Sequence, residues 1–277
     1  MKFKHLLCGV ALGALSLVWP QVSHAQDACH PSVDESKPQF IVGYGSLMEE
    51  ASKRRSAPNS GFNHPVHVTG FQRAWNTRGN EIGFSTTYLG VDVPRPTDLE
   101  RRVADSSAVP EMVAAIYQNL DPKGMTAVDG REAYYCRYPV QLDQVRLLDG
   151  WQLPEDAQIW IYALKPEDPG KPPTERWPIV QSYVDIFLTG CLNLGKRVTM
   201  PLDGTEAAEE SSDATEEYAK TFAAACITTT RDWSGYWVND RIYPRRPFIY
   251  QSNASDIDKL LSATEPTSEL FSFIRIE

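Results

Sequence analysis

Short apolar runs dominate the chain from residue 39 to about residue 165. Runs such as QFIVGYG, MVAAIYQNL and AQIWIYAL are rich in Val, Ile, Tyr or Trp, and many alternate with polar residues, as β-strands do. Their separations are too irregular for a repeat, and strands do not alternate regularly with helices. The pattern therefore predicts a mixed or antiparallel sheet, closed into a small barrel, rather than a doubly wound sheet.

Helical periodicity replaces this pattern in the last hundred residues. A proline-rich connector, residues 165–178, cannot continue a strand or a helix. The segment IVQSYVDIFLTGCLNLG then places its apolar residues on one helical stripe, with Pro178 in the first turn. A second helix is predicted at roughly 214–226, after an acidic segment, 201–217, that we interpret as a mobile surface loop. The prediction is an α+β fold, with residues 39–165 as its core and residues 166–277 as a helical and aromatic-rich extension packed on it as one domain.

The first 25 residues have the features of a secretory signal: two lysines, an apolar run and small residues before a cleavage point after Ala25. A membrane anchor needs about 18 or more apolar residues, whereas the run from Leu6 to Trp19 is shorter and ends at Pro20. We predict export to the periplasm or the exterior, with no membrane attachment after cleavage. Residues 26–38 form an N-terminal segment before the core.

Charge and cysteines narrow the possible partners. The chain carries a formal net charge of −9, and cleavage would remove two lysines and leave −11. Such an acidic protein is a poor candidate for binding nucleic acid or anionic lipid. Four cysteines remain after cleavage, which permits two disulfides in an oxidising compartment. Because Cys191 and Cys226 lie on apolar stripes near the ends of their helices, they are the preferred pair; the alternative is two buried free thiols.

Most common catalytic motifs are absent from the sequence. There is no G-x-S-x-G elbow, no phosphate loop and no H-E-x-x-H. The histidines after the signal are His30, His64 and His67, which we interpret as loop or strand-edge residues rather than metal ligands. We predict neither a metal nor a cofactor, so any chemistry rests on carboxylates or backbone groups.

The segment GYGSLMEE, which follows the first predicted strand, is the first candidate site. A strand that turns through Gly-Tyr-Gly-Ser into a helix leaves backbone amides unpaired, and such a turn binds anions readily. The alternative is structural, because Ser46 followed by Glu49 forms a capping-box pattern that would only start the helix.

A second candidate site is the stretch in which Asp129, Arg131 and Glu132 precede an aromatic and β-branched run. A glutamate that leads into an apolar strand is a candidate general base. The alternative is a carboxylate in a solvated turn.

In combination, these motifs resemble the γ-glutamylcyclotransferase superfamily. The family's turn stands here as Tyr44-Gly45-Ser46-Leu47, GFQRAW resembles its second strand, and its later signature reads Asp129, Glu132, Tyr135 and Arg137. The resemblance covers residues 39–165. Two features depart from the family: Ala133 stands where glycine is usual, and the C-terminal part is longer than compact members need.

The resemblance implies that the substrate's own α-amine attacks its γ-carbonyl, which forms 5-oxoproline and releases an amine without an enzyme nucleophile or cofactor. It assigns the proton transfers to Glu132. It places the substrate α-carboxylate on Gly45, Ser46 and Leu47, with Tyr44 packing at the site and Tyr135 orienting the ligand. The leaving group stays open among a free amino acid, a cysteinyl peptide as in glutathione, and an amine.

Two other classes of function remain beside this enzyme. One is a catalytically silent module that uses the turn to bind an exported glutamyl compound or peptide end. The other is an interaction protein that uses the C-terminal extension. The aromatic and basic strip at 231–250 is expected to seal the helices against the sheet, with a few of its arginines at the mouth of the pocket, rather than to bind single-stranded nucleic acid.

Overall fold

The computed structural model describes residues 29–79, 85–93, 109–168, 170–199, 212–246 and 253–276. The predicted signal peptide and residues 201–211 of the acidic segment lie outside these ranges. Across the described ranges, no helix combines the length and the apolar character that crossing a bilayer would require.

The secondary structure is mixed, in agreement with the predicted α+β class. The strands are β1 (Gln39–Gly43), β2 (His64–Thr69), β3 (Gln72–Arg78), β4 (Thr87–Asp92), β5 (Glu111–Gln118), β6 (Cys136–Val140), β7 (Val145–Leu147), β8 (Gln158–Ala163), β9 (Ile179–Val180), β10 (Thr230–Arg231), β11 (Trp237–Asn239) and β12 (Arg275–Ile276). The α-helices are α1 (Glu50–Ser56), α2 (Gly124–Arg131), α3 (Gln181–Gly195), α4 (Ser212–Thr228), α5 (Ala254–Ala263) and α6 (Thr267–Phe271).

The main sheet has six strands in the order β6-β8-β1-β5-β2-β7. Strands β1 and β8 run parallel, whereas the other neighbours are antiparallel. All five residues of β1 are buried, which suits a central strand covered on both faces.

This sheet is open, so the predicted closed barrel is wrong. Its edge strands, β6 and β7, do not pair with each other. Instead of closing the sheet, the chain turns at Gly70, where φ is 85°, and continues as β3 in a separate sheet of order β10-β3-β4. Alternating apolar residues report only that a strand face is buried. Here the second sheet and the helices bury it.

The C-terminal part packs directly on the core. Strand β10 pairs with β3 at Arg73 and Ala74, and β11 forms a third sheet with β9 and β12. Helix α3 approaches the turn after β1 so closely that a Cβ atom on Gly190 would lie 2.5 Å from the carbonyl carbon of Met48. Glycine at this position therefore allows helix α3 to lie against the candidate site.

Both predicted helix boundaries in the C-terminal part need correction. Pro178 is not in the first turn of α3, because Ile179 and Val180 form strand β9 and the helix begins at Gln181. Helix α4 begins at Ser212, so residues 212–217 of the predicted acidic loop are helical. Acidic residues are favourable in the first turns of a helix, where they meet the positive end of its dipole.

Two disulfides join distant parts of the chain. The preferred pair, Cys191 with Cys226, forms a bridge between α3 and α4 with a Cα–Cα distance of 6.6 Å. The second bridge, Cys29 with Cys136, connects the N-terminal segment to β6 with a Cα–Cα distance of 4.5 Å. Two disulfides are compatible with an oxidising compartment.

Candidate active site

The Gly-Tyr-Gly-Ser turn follows the central strand of the main sheet. Strand β1 ends at Gly43, and a short 3-10 helix, Ser46–Met48, precedes helix α1. A Cβ atom on Gly45 would lie 2.6 Å from the hydroxyl oxygen of Tyr183, which belongs to α3. The second glycine therefore makes room for a side chain from the C-terminal part.

Glu49 caps helix α1, so the alternative of a capping box between Ser46 and Glu49 is wrong. The Glu49 carboxylate accepts hydrogen bonds from the amides of Ala51, at 3.1 Å, and Ser52, at 2.6 Å. The pattern misled because a 3-10 turn separates the serine from the start of the α-helix. The structure therefore excludes a capping role for Ser46 at α1.

Tyr183 contacts the turn through its hydroxyl group. Burial raises the pKa of Tyr183, and the hydrogen-bonding groups of Ser46 partly offset that rise. Its ring packs edge-on against Trp75 and Tyr88, with centroids 5.8 Å and 5.0 Å away. Helix α3 thus contributes one wall of the site.

A hydrogen-bonded chain from Tyr44 forms a second wall. The Tyr44 hydroxyl donates to the carbonyl oxygen of Tyr162 at 2.7 Å, and the Tyr162 hydroxyl donates to Asp129 at 2.6 Å. Nε of Arg137 lies 3.5 Å from the same carboxylate oxygen. Tyr44 of the turn motif and Asp129 and Arg137 of the later signature therefore meet in one network. This network connects the turn to strands β6 and β8.

Arg73, from the GFQRAW motif, forms hydrogen bonds that stabilise the backbone of the turn. This fully buried guanidinium donates to the carbonyl oxygens of Val113, at 2.8 Å, and Cys226, at 2.7 Å, and to the hydroxyl of Thr230, at 2.7 Å. It also donates to the carbonyl oxygen of Tyr44 at 3.3 Å. One side chain thus connects the candidate site, the main sheet and the end of α4.

Glu132 lies at the end of helix α2 rather than in a turn that leads straight into a strand. Its amide donates to the carbonyl oxygen of Val128 at 2.9 Å, and its side chain is 21% exposed. Nε of Arg131 lies 3.2 Å from the carboxylate, and the same guanidinium donates to the carbonyl oxygen of Ser56 at 2.6 Å. The carboxylate is therefore oriented by a neighbour that is itself held by α1.

An inner cavity of about 200 Å³ lies between the turn and Glu132. All six residues that the sequence nominated for catalysis or substrate binding line it: Tyr44, Gly45, Ser46, Leu47, Glu132 and Tyr135. Among the described residues that line this cavity, Glu132 is the sole carboxylate.

Three tyrosines that sequence reasoning missed also line the inner cavity: Tyr117, Tyr162 and Tyr183. The Tyr117 hydroxyl is buried and has no hydrogen-bond partner among the described residues. Burial raises the pKa of Tyr117 and Tyr162, and the charge of Glu132 adds to the rise. Both hydroxyls therefore stay protonated as donors. A tyrosine inside an otherwise apolar strand, as in AAIYQ and IWIYA, was the signal that could have identified two of them.

A larger outer groove, of about 570 Å³, adjoins the inner cavity. The two share Ser46, Leu89, Tyr135 and Tyr183. Arg245 and Arg246, from the C-terminal aromatic and basic strip, line this groove. The site therefore consists of a small cavity with one carboxylate and a wider groove at its mouth.

The candidate histidines lie away from this site. His64 contacts Asp149 at 2.8 Å, and His67 contacts Glu111 at 3.1 Å. In the part of the chain that the structure describes, no cluster of three or more His, Cys, Asp or Glu residues is arranged to hold a metal ion.

Comparison with known proteins gives matches among solved structures. No protein-family model matches the chain, and no curated protein matches it. A structure described as a gamma-glutamyl cyclotransferase is 12% identical, with a TM-score of 0.41 over 67% of this chain and 99% of that one. An uncharacterized protein from Homo sapiens is 13% identical, with a TM-score of 0.41 over 67% and 98%. A yeast gamma-glutamyl cyclotransferase described as specific to glutathione is 12% identical, with a TM-score of 0.34 over 67% and 97%. The solved structures that the chain matches thus include γ-glutamylcyclotransferases, the family that its motifs resemble.

Proposed function

We propose that the protein is an exported γ-glutamylcyclotransferase-type enzyme that converts a γ-glutamyl amide into 5-oxoproline and a free amine. The observation that carries this proposal is the inner cavity. The Tyr-Gly-Ser-Leu turn and Glu132, which are far apart in sequence, line it together, and Glu132 is the sole carboxylate among its described lining residues.

In this proposal the turn binds the α-carboxylate of the substrate. Backbone amides in a turn of this kind attract anions, and the Ser46 hydroxyl, which does not cap α1, adds a further donor. The unpartnered Tyr117 hydroxyl supplies another donor inside the cavity. A buried donor without a partner is costly, and a bound polar ligand would remove that cost.

Glu132 performs both proton transfers. It removes a proton from the substrate α-ammonium group, and the freed amine attacks the γ-carbonyl carbon. The bond between that carbon and the amide nitrogen then breaks as Glu132 returns the proton to the leaving nitrogen. The ring nitrogen gives up a second proton through the same carboxylate, so it ends as the amide N–H of 5-oxoproline and the amine departs as an ammonium ion. The sum is an intramolecular acyl transfer in which no proton is gained or lost, so one carboxylate suffices.

The cavity also favours ring closure by holding the substrate in a bent conformation. A γ-glutamyl group is flexible in water, and bringing its two ends together costs entropy. Fixing the α-carboxylate at the turn while Glu132 faces the amine places the reacting atoms close together before the reaction. Arg131, which contacts the Glu132 carboxylate, keeps that carboxylate in place.

The test is 5-oxoproline release from a panel of γ-glutamyl amides by the wild type and by Glu132→Gln. We expect the variant to lose about 10²- to 10⁴-fold in rate. The glutamine side chain has nearly the same shape as the glutamate, but it cannot accept a proton and return it. Glu216→Gln, in helix α4 and with a side chain that is 58% exposed, is the matched control and should retain full activity.

Two results would contradict this assignment. Retention of more than half the activity in Glu132→Gln would remove the role of Glu132. Binding of 5-oxoproline by the wild type without turnover of any γ-glutamyl amide would instead identify a catalytically silent binding protein.

Export is the remaining part of the proposal. It is supported by the signal-like first 25 residues and by the two disulfides. Mass spectrometry of the protein recovered from the cell exterior or periplasm should find a mature N-terminus at Gln26. Recovery of the uncleaved chain from the cytoplasm alone would contradict it.

A further inference from the structure

The outer groove has a positively charged lining, although the whole chain is acidic. Arg78, Lys171, Arg245 and Arg246 line it. Asp168 is the one carboxylate among its described lining residues, and it lies 3.3 Å from Lys171. The groove therefore concentrates positive charge in a protein whose formal net charge is −9.

Aromatic rings hold two of these side chains, Arg78 and Arg246, in place. The Arg246 guanidinium lies 5.2 Å from the ring centroid of Tyr88 and 5.9 Å from that of Tyr183. The Arg78 guanidinium lies 4.6 Å from the ring centroid of Trp177. Among the described residues, neither arginine forms an ion pair with a carboxylate, and Nε of Arg78 is buried without a hydrogen-bond partner.

A buried carboxylate fixes the segment that carries the two C-terminal arginines. Asp240, which is fully buried, accepts hydrogen bonds from the amide of Arg245, at 2.7 Å, and the hydroxyl of Ser182, at 2.6 Å. The amide of Arg246 in turn donates to that hydroxyl at 3.2 Å. Because Ser182 is in the first turn of α3, the position of both arginines is set by the helix that also carries Tyr183.

The groove adjoins the inner cavity directly. It shares Ser46 and Tyr135 with the inner cavity, so a γ-glutamyl group in the cavity would direct its amide substituent into the groove. A groove of about 570 Å³ has room for a group larger than the glutamyl part. The chemistry that suits its lining is negative charge, because guanidinium groups bind carboxylates through paired hydrogen bonds.

On the basis of the proposed function, we infer that the outer groove binds an anionic leaving amine, which means an amino acid or a short peptide that carries carboxylates. The amide bond breaks, the nitrogen gains its proton from Glu132, and the departing carboxylate stays paired with the arginines until release. Uncharged and cationic amines are poor leaving partners in this groove. The C-terminal extension thereby selects the substrate.

Four γ-glutamyl substrates test this inference: γ-Glu-Glu, γ-Glu-Gln, γ-Glu-Gln with an amidated C-terminus, and γ-glutamylputrescine. The first three have nearly the same shape and differ in the number of carboxylates on the leaving amine. We expect kcat/KM to fall in the order given, by roughly 10- to 100-fold for each charged contact that is lost. Added salt should shrink these differences, since partly exposed charges are screened.

Substitutions of the groove arginines then show which side chains cause the preference for an anionic leaving amine. In Arg246→Gln and Arg78→Gln, the ratio of kcat/KM for γ-Glu-Glu to that for the amidated substrate should fall by about 10-fold or more. Arg246→Lys, which keeps the charge but loses the paired hydrogen bonds, should retain part of the ratio and lie between the wild type and Arg246→Gln. Lys259→Gln removes a positive charge from α5, where the side chain is 76% exposed, and should leave the ratio unchanged.

Failure of the inference can be separated from failure of the proposed function. Equal kcat/KM for all four substrates, or a higher value for γ-glutamylputrescine, would overturn the inference while turnover upholds the proposed function. If nothing is turned over, calorimetric titration of γ-Glu-Glu and the amidated peptide into Glu132→Gln still decides the question. Tighter binding of γ-Glu-Glu would support an anionic groove, and equal affinities would overturn it.

Discussion

Gly45 faces the hydroxyl of Tyr183, and this contact predicts the effect of adding a single methyl group. A Cβ atom on Gly45 would lie 2.6 Å from that oxygen, whereas ordinary contacts begin at 3.4 Å. Tyr183 cannot move away easily, because it is only 5% exposed and its ring packs between Trp75 and Tyr88. Gly45→Ala should therefore destabilise the protein by about 1–3 kcal/mol, the usual cost of overpacking.

Removing the opposing oxygen should relieve this clash. In a Tyr183→Phe background, the nearest remaining atoms to the new methyl group would be Cβ of Leu89 at 3.7 Å and Cζ of residue 183 at 3.8 Å, which are ordinary contacts. Any backbone cost of replacing glycine is present in both backgrounds and cancels in a double-mutant cycle. We expect the double variant to be more stable than the sum of the single effects by about 1–3 kcal/mol.

The assay is urea unfolding of the wild type, both single variants and the double variant, with the disulfides intact and at one protein concentration. The free energy of unfolding of each gives the interaction energy of the cycle. Release of 5-oxoproline should be measured alongside, at a temperature where all four are folded. Additivity within about 0.5 kcal/mol would mean that Gly45 and Tyr183 do not meet, and would refute the described contact between α3 and the turn.

Three further predictions follow from the described contacts. Glu49→Ala should cost about 0.5–2 kcal/mol in urea unfolding through loss of the α1 cap, whereas Ser46→Ala should leave the cap intact but weaken calorimetric binding of 5-oxoproline; the opposite pattern would return the capping role to Ser46. Thiol titration of the denatured, unreduced mature protein should find no free cysteine, and replacing Cys191 and Cys226 by alanine should cost about 4 kcal/mol for the loop that they close; a reactive thiol in the wild type would contradict the pairing. Burial raises the pKa of Asp149, but the hydrogen bond from His64 and the charges beside it outweigh burial, so the pKa is lowered overall. Its contribution to stability is therefore present above the unfolded pKa and is lost as the pH falls through the folded pKa, so Asp149→Asn should flatten the acid side of a stability–pH curve; an unchanged curve would contradict this.

The candidate site was predictable from sequence where its chemistry depends on local motifs. The turn at 44–47 and the pair Glu132 and Tyr135 were nominated from short segments, and all of them line the inner cavity. The two glycines that indicate an unusual backbone in the turn, and the order of the motifs, can be read directly from the sequence. The role of each residue in catalysis stays a prediction.

The other walls of the site were not predictable, because they depend on packing between distant elements. Tyr183 reaches the turn only because Gly190 lets helix α3 lie against Met48. Arg246 reaches the groove only because Asp240 and Ser182 hold its segment. Arginines of the 231–250 strip were expected at the mouth of the pocket, but the contacts that position Tyr183 and Arg246 leave no periodic or local signal in the sequence.

The sequence by itself determined the α+β class, the main strands of the core and the preferred bridge between Cys191 and Cys226, because strand alternation and helical periodicity are local consequences of which side chains are buried. It left the sheet as mixed or antiparallel, and it did not predict helix α2 or strands β9 to β12. Only the tertiary structure decided that the sheet stays open, that Glu49 rather than Ser46 caps α1, and that Cys29 pairs with Cys136. The reason is physical: burial of an apolar face can be satisfied equally by a closing strand, a second sheet or a helix. The choice among them depends on the close approach of distant chain segments.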